Sequence, residues 1–399
     1  MAPERGERQP DRLARRERAA RRAAVRRRRL GALVAVAGAA LLAGVLVSAG
    51  ASNGGGGPPR APGAPPPPDE PVHLTVEVNG DLLIHSPVWY RAQALAGGRG
   101  YDFRPLLREI RPFVRGADLA ICHVETPMSP RPPQGYPVFN TPPALARAIR
   151  WTGWDACDTA SNHSLDQGQY GINQTGIALD RAGVRHTGSF PSPAAQRRIM
   201  MLEAKGVKIA YLAYTTITNG IPLPHPWSLN LGTARRILAD ARRARRAGAQ
   251  AVIVNLHWGV EYQSAPSPSQ VRLARVLVRS PAITAVVGQH VHVVQPIRAV
   301  GGKMVVFGEG NLLSNQTAAC CPAASQDGII ALLRMTIDDR GARVTRVDYV
   351  PVYVRHPDFT VVPVAQALRR GEGPASELRA SWRRTVSVVG RDRRHAPLR

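Results

Sequence analysis

From residue 72 to about residue 355, short apolar runs of β type alternate with stretches of helical periodicity. No other feature constrains the fold as strongly. "VHLTVEV" (72–78), "DLAICHV" (118–124), "VKIAYLAY" (207–214), "AVIVNLHW" (251–258), "ITAVVG" (283–288) and "KMVVFG" (303–308) have the length and β-branched content of strands. Helical patterns fall between them at 104–115, 142–151, 171–182, 233–247 and 269–279. This alternation predicts an α/β layered domain. Late in the chain "IIALLRMTID" and "ARVTRVDYVPVYV" follow each other closely, which predicts some antiparallel pairing.

The flanks differ in kind. Residues 1–29 hold 12 arginines against 4 acidic residues, and 30–50 ("LGALVAVAGAALLAGVLVSAG") carry no charge. Twenty-one helical residues span roughly 30 Å, the thickness of a bilayer core. Dense arginine ahead of such a segment holds the N-terminus in the cytoplasm and leaves the remainder outside. We therefore expect a basic cytoplasmic segment (1–29), a transmembrane helix (30–50), a Gly/Pro-rich linker (51–70), the main domain (71–355) and a peripheral C-terminal segment (356–399). "AGA" at 49–51 resembles a signal-peptidase site. The n-region is long and the apolar core exceeds an ordinary signal, so an uncleaved anchor is the expectation. The last nine residues are basic and are expected to fray.

Net charge is +25, and the first 29 residues account for +8 of it, leaving +17 for the rest. That balance calls for an anionic partner. Nucleic acid is disfavoured: aromatics are 5% of the chain, and no basic stretch is interleaved with aromatics to stack bases. The four cysteines, Cys122, Cys157, Cys320 and Cys321, have neither zinc-ribbon spacing nor the density of a disulfide scaffold. The first two read as small buried thiols on strands, the last two as a loop pair.

Ligand-type side chains recur at the C-terminal ends of the expected strands, the edge where open α/β sheets bind ligands. "NGDLLIH" offers Asp81 and His85, and "CHVETP" offers His123 and Glu125. "SNHSLD" offers Asn162, His163 and Asp166, "HWGVE" offers His257 and Glu261, and "GQHVHV" offers His290 and His292. Singly each has a bland reading: a turn, a solvated carboxylate, a helix cap, a core histidine. Five strand ends of one domain carrying such groups point instead to one site. In an extended segment residues two apart face the same way, so His290 and His292 are expected to address one ion. Imidazole, carboxylate and amide donors without thiolate suit Mn, Zn or Fe. Six or more ligands exceed the need of one tetrahedral ion, so two divalent metals are expected, about 3.5–4 Å apart.

"GDLLIH", "HVETP", "SNHSLDQG", "HWGVEY", "GQHVHVVQP" and "FGEGNLLSNQ" occur in the order of the CapA family of poly-γ-glutamate capsule synthesis proteins. The chain resembles that family over residues 72–320, and the family resembles the calcineurin-like metallophosphoesterases in fold. The resemblance implies a metallophosphoesterase-like β-sandwich flanked by helices. It implies that Asp81, Glu125, Asn162, His257, His290 and His292 surround the metal, with Asp81 and His163 in catalysis. Asn311 would shape the pocket, with His85 and Glu261 beside it. Leu83 stands where phosphoesterases place a histidine, and Glu125 where they place a bridging aspartate. Ser161, Gln289 and Val291 also depart from relatives, at positions between the ligands. The function implied is a membrane-anchored extracytoplasmic protein acting on an anionic polymer such as poly-γ-glutamate, beside capsule synthetase subunits. It would act as a metal-dependent hydrolase of a phosphoester or polyglutamate amide; the alternative is a non-catalytic polymer-binding scaffold.

Overall fold

The structure, a computed structural model, describes residues 70–398. Segments 1–29 and 30–50, and the linker up to residue 69, lie outside the described residues. Among the described residues no helix is long and apolar enough to cross a membrane.

Among the described residues, fifteen strands form two sheets. In chain order they are β1 (Val72–Leu82), β2 (Leu119–Val124), β3 (Ala156–Asp158), β4 (Arg185–Thr187), β5 (Met200–Ala204), β6 (Val207–Thr215) and β7 (Ala251–His257). Then follow β8 (Ala285–Gln289), β9 (Ile297–Val300), β10 (Lys303–Val306), β11 (Asn311–Leu313), β12 (Asp327–Asp338), β13 (Gly341–Arg355), β14 (Thr360–Pro363) and β15 (His395–Pro397). The first sheet runs β14-β13-β12-β1-β2-β3-β4, with β11 on β1 and β15 on β13; the second runs β5-β6-β7-β8-β10-β9. The antiparallel pairing expected late in the chain is the long β12–β13 ladder, Asp327 to Asp338 against Tyr353 to Gly341.

Alternation along the strands makes the layers. Val76, Val78, Ile121 and Ala156 of the first sheet turn inward onto Ile209, Tyr211, Ile253 and Val287 of the second. The intervening residues Ala120, Cys122 and Val124 face the other way, beneath helix Ala144–Thr152. Ala210, Leu212, Val252 and Val254 cover the outer face of the second sheet under helices Ala234–Arg246 and Pro268–Val278. The result is a helix–sheet–sheet–helix stack, and burial of each such aliphatic side chain contributes about 1.5–3 kcal/mol. Ser267 starts the last of these helices: its side chain and that of Gln270 reciprocally cap the first turn, with Pro268 at the first helical position.

Two expectations need correction. Residues 356–399 are not peripheral to the sheet: β14 pairs antiparallel and β15 parallel with β13. Helix Ala375–Val389 is held by Arg384 on Asp327 at 2.7 Å, and Tyr353 Oη lies 3.0 Å from Glu377. Near the C-terminus, His395–Pro397 complete backbone hydrogen bonds that β13 would otherwise leave open. Nor are Cys122 and Cys157 free thiols: they form a disulfide between β2 and β3, with Cα atoms 4.4 Å apart. They are direct register partners on neighbouring parallel strands, which strand-by-strand reading does not reveal.

The bridge closes a loop of sequence separation 35, worth about 3–4 kcal/mol in the chain-entropy account. Replacing Cys157 by Ser should lower the unfolding free energy by about that amount, read as a lower denaturant midpoint. An unchanged midpoint would mean that packing alone holds β2 to β3.

Candidate metal centre

The parallel strands β1, β2, β3, β7 and β8 end at one edge of the sandwich, and the polar strand-end residues meet there. Asp81 stands beside His123 on β2 and beside Asn311 on β11. Gly80 allows the second approach: a Cβ there would come within 2.1 Å of the Gly310 carbonyl, which accepts from the Asp81 backbone N–H. The ladder between β1 and β2 shifts register between Val78 and Asp81, and such bulges re-aim side chains.

Asp81 is fully buried and its two oxygens address different partners. Oδ2 lies 3.0 Å from His292 Nδ1, and Oδ1 lies 3.7 Å from His123 Nε2. Glu125, just past β2, is also buried; its Oε1 is 3.7 Å from His292 Nε2 and 3.9 Å from His257 Nε2. Neither Glu125 oxygen has a hydrogen-bond partner. Three groupings of donor atoms converge within 4.8 Å: Asp81, His123 and His257; Asp81, Glu125 and His292; Glu261, His290 and His292. Glu261 is the exposed member. The donor set therefore fits a divalent cation: a buried carboxylate with both oxygens unanswered costs several kcal/mol unless a positive charge meets it.

The mode of convergence of His290 and His292 differs from expectation. The segment after β8 is not extended; both residues have positive φ, 92° and 56°. A left-handed turn rather than a pleat brings the rings 5.9 Å apart. Backbone of this kind in non-glycine residues costs of order 1–3 kcal/mol and clusters at functional sites. The neighbouring "HWGVEY" loop braces the turn, with the Tyr262 N–H donating to the Val291 carbonyl at 2.7 Å.

Asn162 Oδ1 is 2.9 Å from His257 Nε2, and its Nδ2 donates to Asn219 Oδ1 at 3.2 Å. His163 Nδ1 lies 2.8 Å from Asp166 Oδ2, and the edge of Phe139 packs on its ring at 4.7 Å. Ser161 ties this loop down: its hydroxyl accepts from the His163 N–H and donates to the Glu125 carbonyl. Asn311 Oδ1 is 3.1 Å from His292 Nδ1, while its Nδ2 donates to Gln316 and to the Ser325 carbonyl. His85 stands off the cluster, 5.3 Å from Phe139 and 3.2 Å from the Asn315 N–H. Sequence reading missed Asp158, whose Oδ1 lies 2.7 Å from His123 Nδ1. Its strand, β3, has three residues, too short for an apolar period.

The electrostatics alternate in sign. Burial raises Glu125 to about 7. Burial would depress His123, but the charge and hydrogen bond of Asp158 outweigh it and raise that imidazole to about 9. His292 is likewise raised to about 9, by Glu125 and Asp81 against its burial. Burial and neighbouring imidazoles lower His290 to about 3 and push His257 well down, and burial lowers His85 to about 4.

A two-sheet α/β sandwich with a buried histidine–carboxylate centre at its strand ends defines the class. The model for the bacterial capsule synthesis protein PGA_cap matches residues 75–316, and the chain belongs to that family. The capsule biosynthesis protein CapA of Bacillus anthracis is 24% identical over 306 residues, 74% of this chain and 70% of that protein. The PGA biosynthesis protein CapA of Bacillus subtilis is 23% identical over 219 residues, 53% of this chain and 57% of that one. A probable polyglutamine synthesis accessory protein of Mycobacterium tuberculosis is 28% identical over 173 residues, 40% and 45% of the two chains. Among solved structures, the calcineurin-like phosphoesterase YfkN of Bacillus subtilis is 12% identical, covering 80% of this chain and 99% of that one at a TM-score of 0.44. The NAD nucleotidase of Haemophilus influenzae is 11% identical, covering 82% and 57% at 0.46.

A pH dependence follows for the metal-free protein. His123 and His292 are raised when folded, so their stabilisation is complete below the unfolded value near 6.5 and is lost as pH rises through about 9. The melting temperature of chelator-treated protein should fall between pH 7 and 9, and His123→Gln should flatten that fall. Parallel profiles for the two proteins would contradict the assignment.

Proposed function

We propose that this chain acts in the synthesis, export or attachment of a capsular polymer of poly-γ-glutamate type, through a divalent-metal centre that hydrolyses a bond. One observation carries the reading. Asp81, Glu125, His257, His290 and His292 converge from the ends of β1, β2, β7 and β8, and Glu125 is left without a partner. Membership in the family, with relatives named for capsule, PGA and polyglutamine synthesis, supports the polymer. The +17 outside residues 1–29 suits an acidic chain. The Cys122–Cys157 bridge agrees with an extracytoplasmic location behind the 30–50 anchor.

Asp81, Glu125, His257, His290 and His292 would hold the ions, and Asn162 steadies the His257 ring. Two divalent ions, Mn, Zn or Fe, supply Lewis acidity and lower the pKa of water. Asp166 accepts the Nδ1 proton of His163, leaving Nε2 to hold a proton for the leaving group. Phe139 walls that ring on one side and keeps it in place. Tyr136 and Val138, exposed beside Phe139, would offer the apolar lip along which a polymer backbone lies.

The full chain should carry close to two metal equivalents, and His292→Ala should lose metal and hydrolysis of a phosphodiester or γ-linked polyglutamate together. His163→Gln should keep its metal while turnover falls about 10²–10⁴-fold, the usual worth of a general acid. Wild-type turnover in His163→Gln would remove His163 from the chemistry, whereas polymer binding with no turnover in any form would favour the scaffold reading.

A further inference from the structure

His123 lies inside the "HVETP" motif but outside the ligand set that the resemblance implies. It ends β2 with its side chain fully buried, and register places it directly beside Asp81. Nδ1 faces Asp158 Oδ1 at 2.7 Å, so the neutral ring carries its proton there and leaves a lone pair on Nε2. Nε2 lies 3.1 Å from His257 Nδ1 and 3.7 Å from Asp81 Oδ1. The proton of a neutral His257 belongs on Nε2, where Asn162 Oδ1 accepts it at 2.9 Å; the Asn162 amide is oriented by its own donation to Asn219.

Two lone pairs therefore face each other across 3.1 Å, with a carboxylate oxygen beside them. Such an arrangement repels itself unless a proton or a cation stands between. Ligands about 2.1 Å from a tetrahedral ion are separated by roughly 3.4 Å, close to these separations. The Asp81 contact is too long to be a hydrogen bond. Residue 83 offers nothing in its place: Leu83 is buried, and its backbone N–H is taken by the Leu313 carbonyl.

We propose that His123 is a metal ligand which, with Asp81 and His257, forms one cation position of this chain, and that Asp158 is the positioning residue that presents its Nε2. The imidazole absent from position 83, just past β1, is thus supplied by the neighbouring strand. Asp81, through its other oxygen, borders the second grouping with Glu125 and His292. The proposal rests on the reading that this centre holds divalent ions.

The test uses the full chain loaded with Mn(II), measuring bound metal, dissociation constant and nitrogen couplings by pulsed EPR. Both His123→Ala and His123→Gln should lose about one equivalent relative to wild type, together with one imidazole coupling. Asp158→Asn should keep its stoichiometry but bind that ion about 10–100-fold more weakly, as supporting carboxylates do. His123→Gln decides if His123→Ala does not fold. Wild-type stoichiometry, affinity and couplings in the folded His123 variants, with metal lost in His292→Ala, would overturn the His123 assignment and leave the metal centre standing. No Mn(II) in the wild type would overturn both.

Discussion

A carboxylate with no solvent exposure, Asp81 at the end of β1, sets the terms for everything around it. A charge of that kind is tolerated only where opposite charge or several donors answer it. Its neighbours are consequently imidazoles on both sides, His292 against Oδ2 and His123 beyond Oδ1. Those rings come from distant parts of the sequence, one from β2 and one from the turn after β8. The two sheets must stack in register for Asp81 to be compensated at all. The inward-facing aliphatic rows of β1, β2, β6, β7 and β8 fix that stacking, so the apolar layer and the polar edge form one construction.

The disulfide belongs to the same construction. Cys122 pairs with Cys157 in the β2–β3 ladder, and the next pair in register is His123 with Asp158. The bridge points toward the helical layer while the next pair points between the sheets, as alternation along a strand requires. A covalent link one residue away thus holds the register that aligns the carboxylate with the imidazole. β3 has only three residues and little backbone pairing of its own to resist a slip, and slippage by one residue would turn Asp158 to the opposite face.

The long elements were legible because their periods are local. The six apolar runs read as strands lie on β1, β2, β6, β7, β8 and β10, and helices occupy the intervals where they were expected. Asp81, Glu125, His257, His290 and His292 were visible as ligand-type residues after such runs, and the structure brings them together. What escaped was non-local. The bond between Asp158 and His123 depends on pairing across 35 residues, and β15 on a partner almost fifty residues upstream. The left-handed backbone at His290 and His292 left no sign in a sequence that reads equally well as an extended strand.

The opposed shifts of the histidines express the same constraint in charge. Four rings stand close together: His257 is 5.0 Å from His123 and 4.7 Å from His290, and His290 is 5.9 Å from His292. They cannot all be protonated at such separations, and the buried carboxylates cannot all be charged without some of them being so. The protons settle where a carboxylate is nearest, on His123 beside Asp158 and on His292 beside Asp81 and Glu125. Burial, with the neighbouring imidazoles, holds His257 and His290 neutral. Cations entering this cluster would replace those two protons as counter-charge, so metal uptake and proton release become one event. The affinity of the centre should therefore rise with pH up to about 9, where His123 and His292 give up their protons unaided. Below that range the fold stabilises its own polar edge with protons.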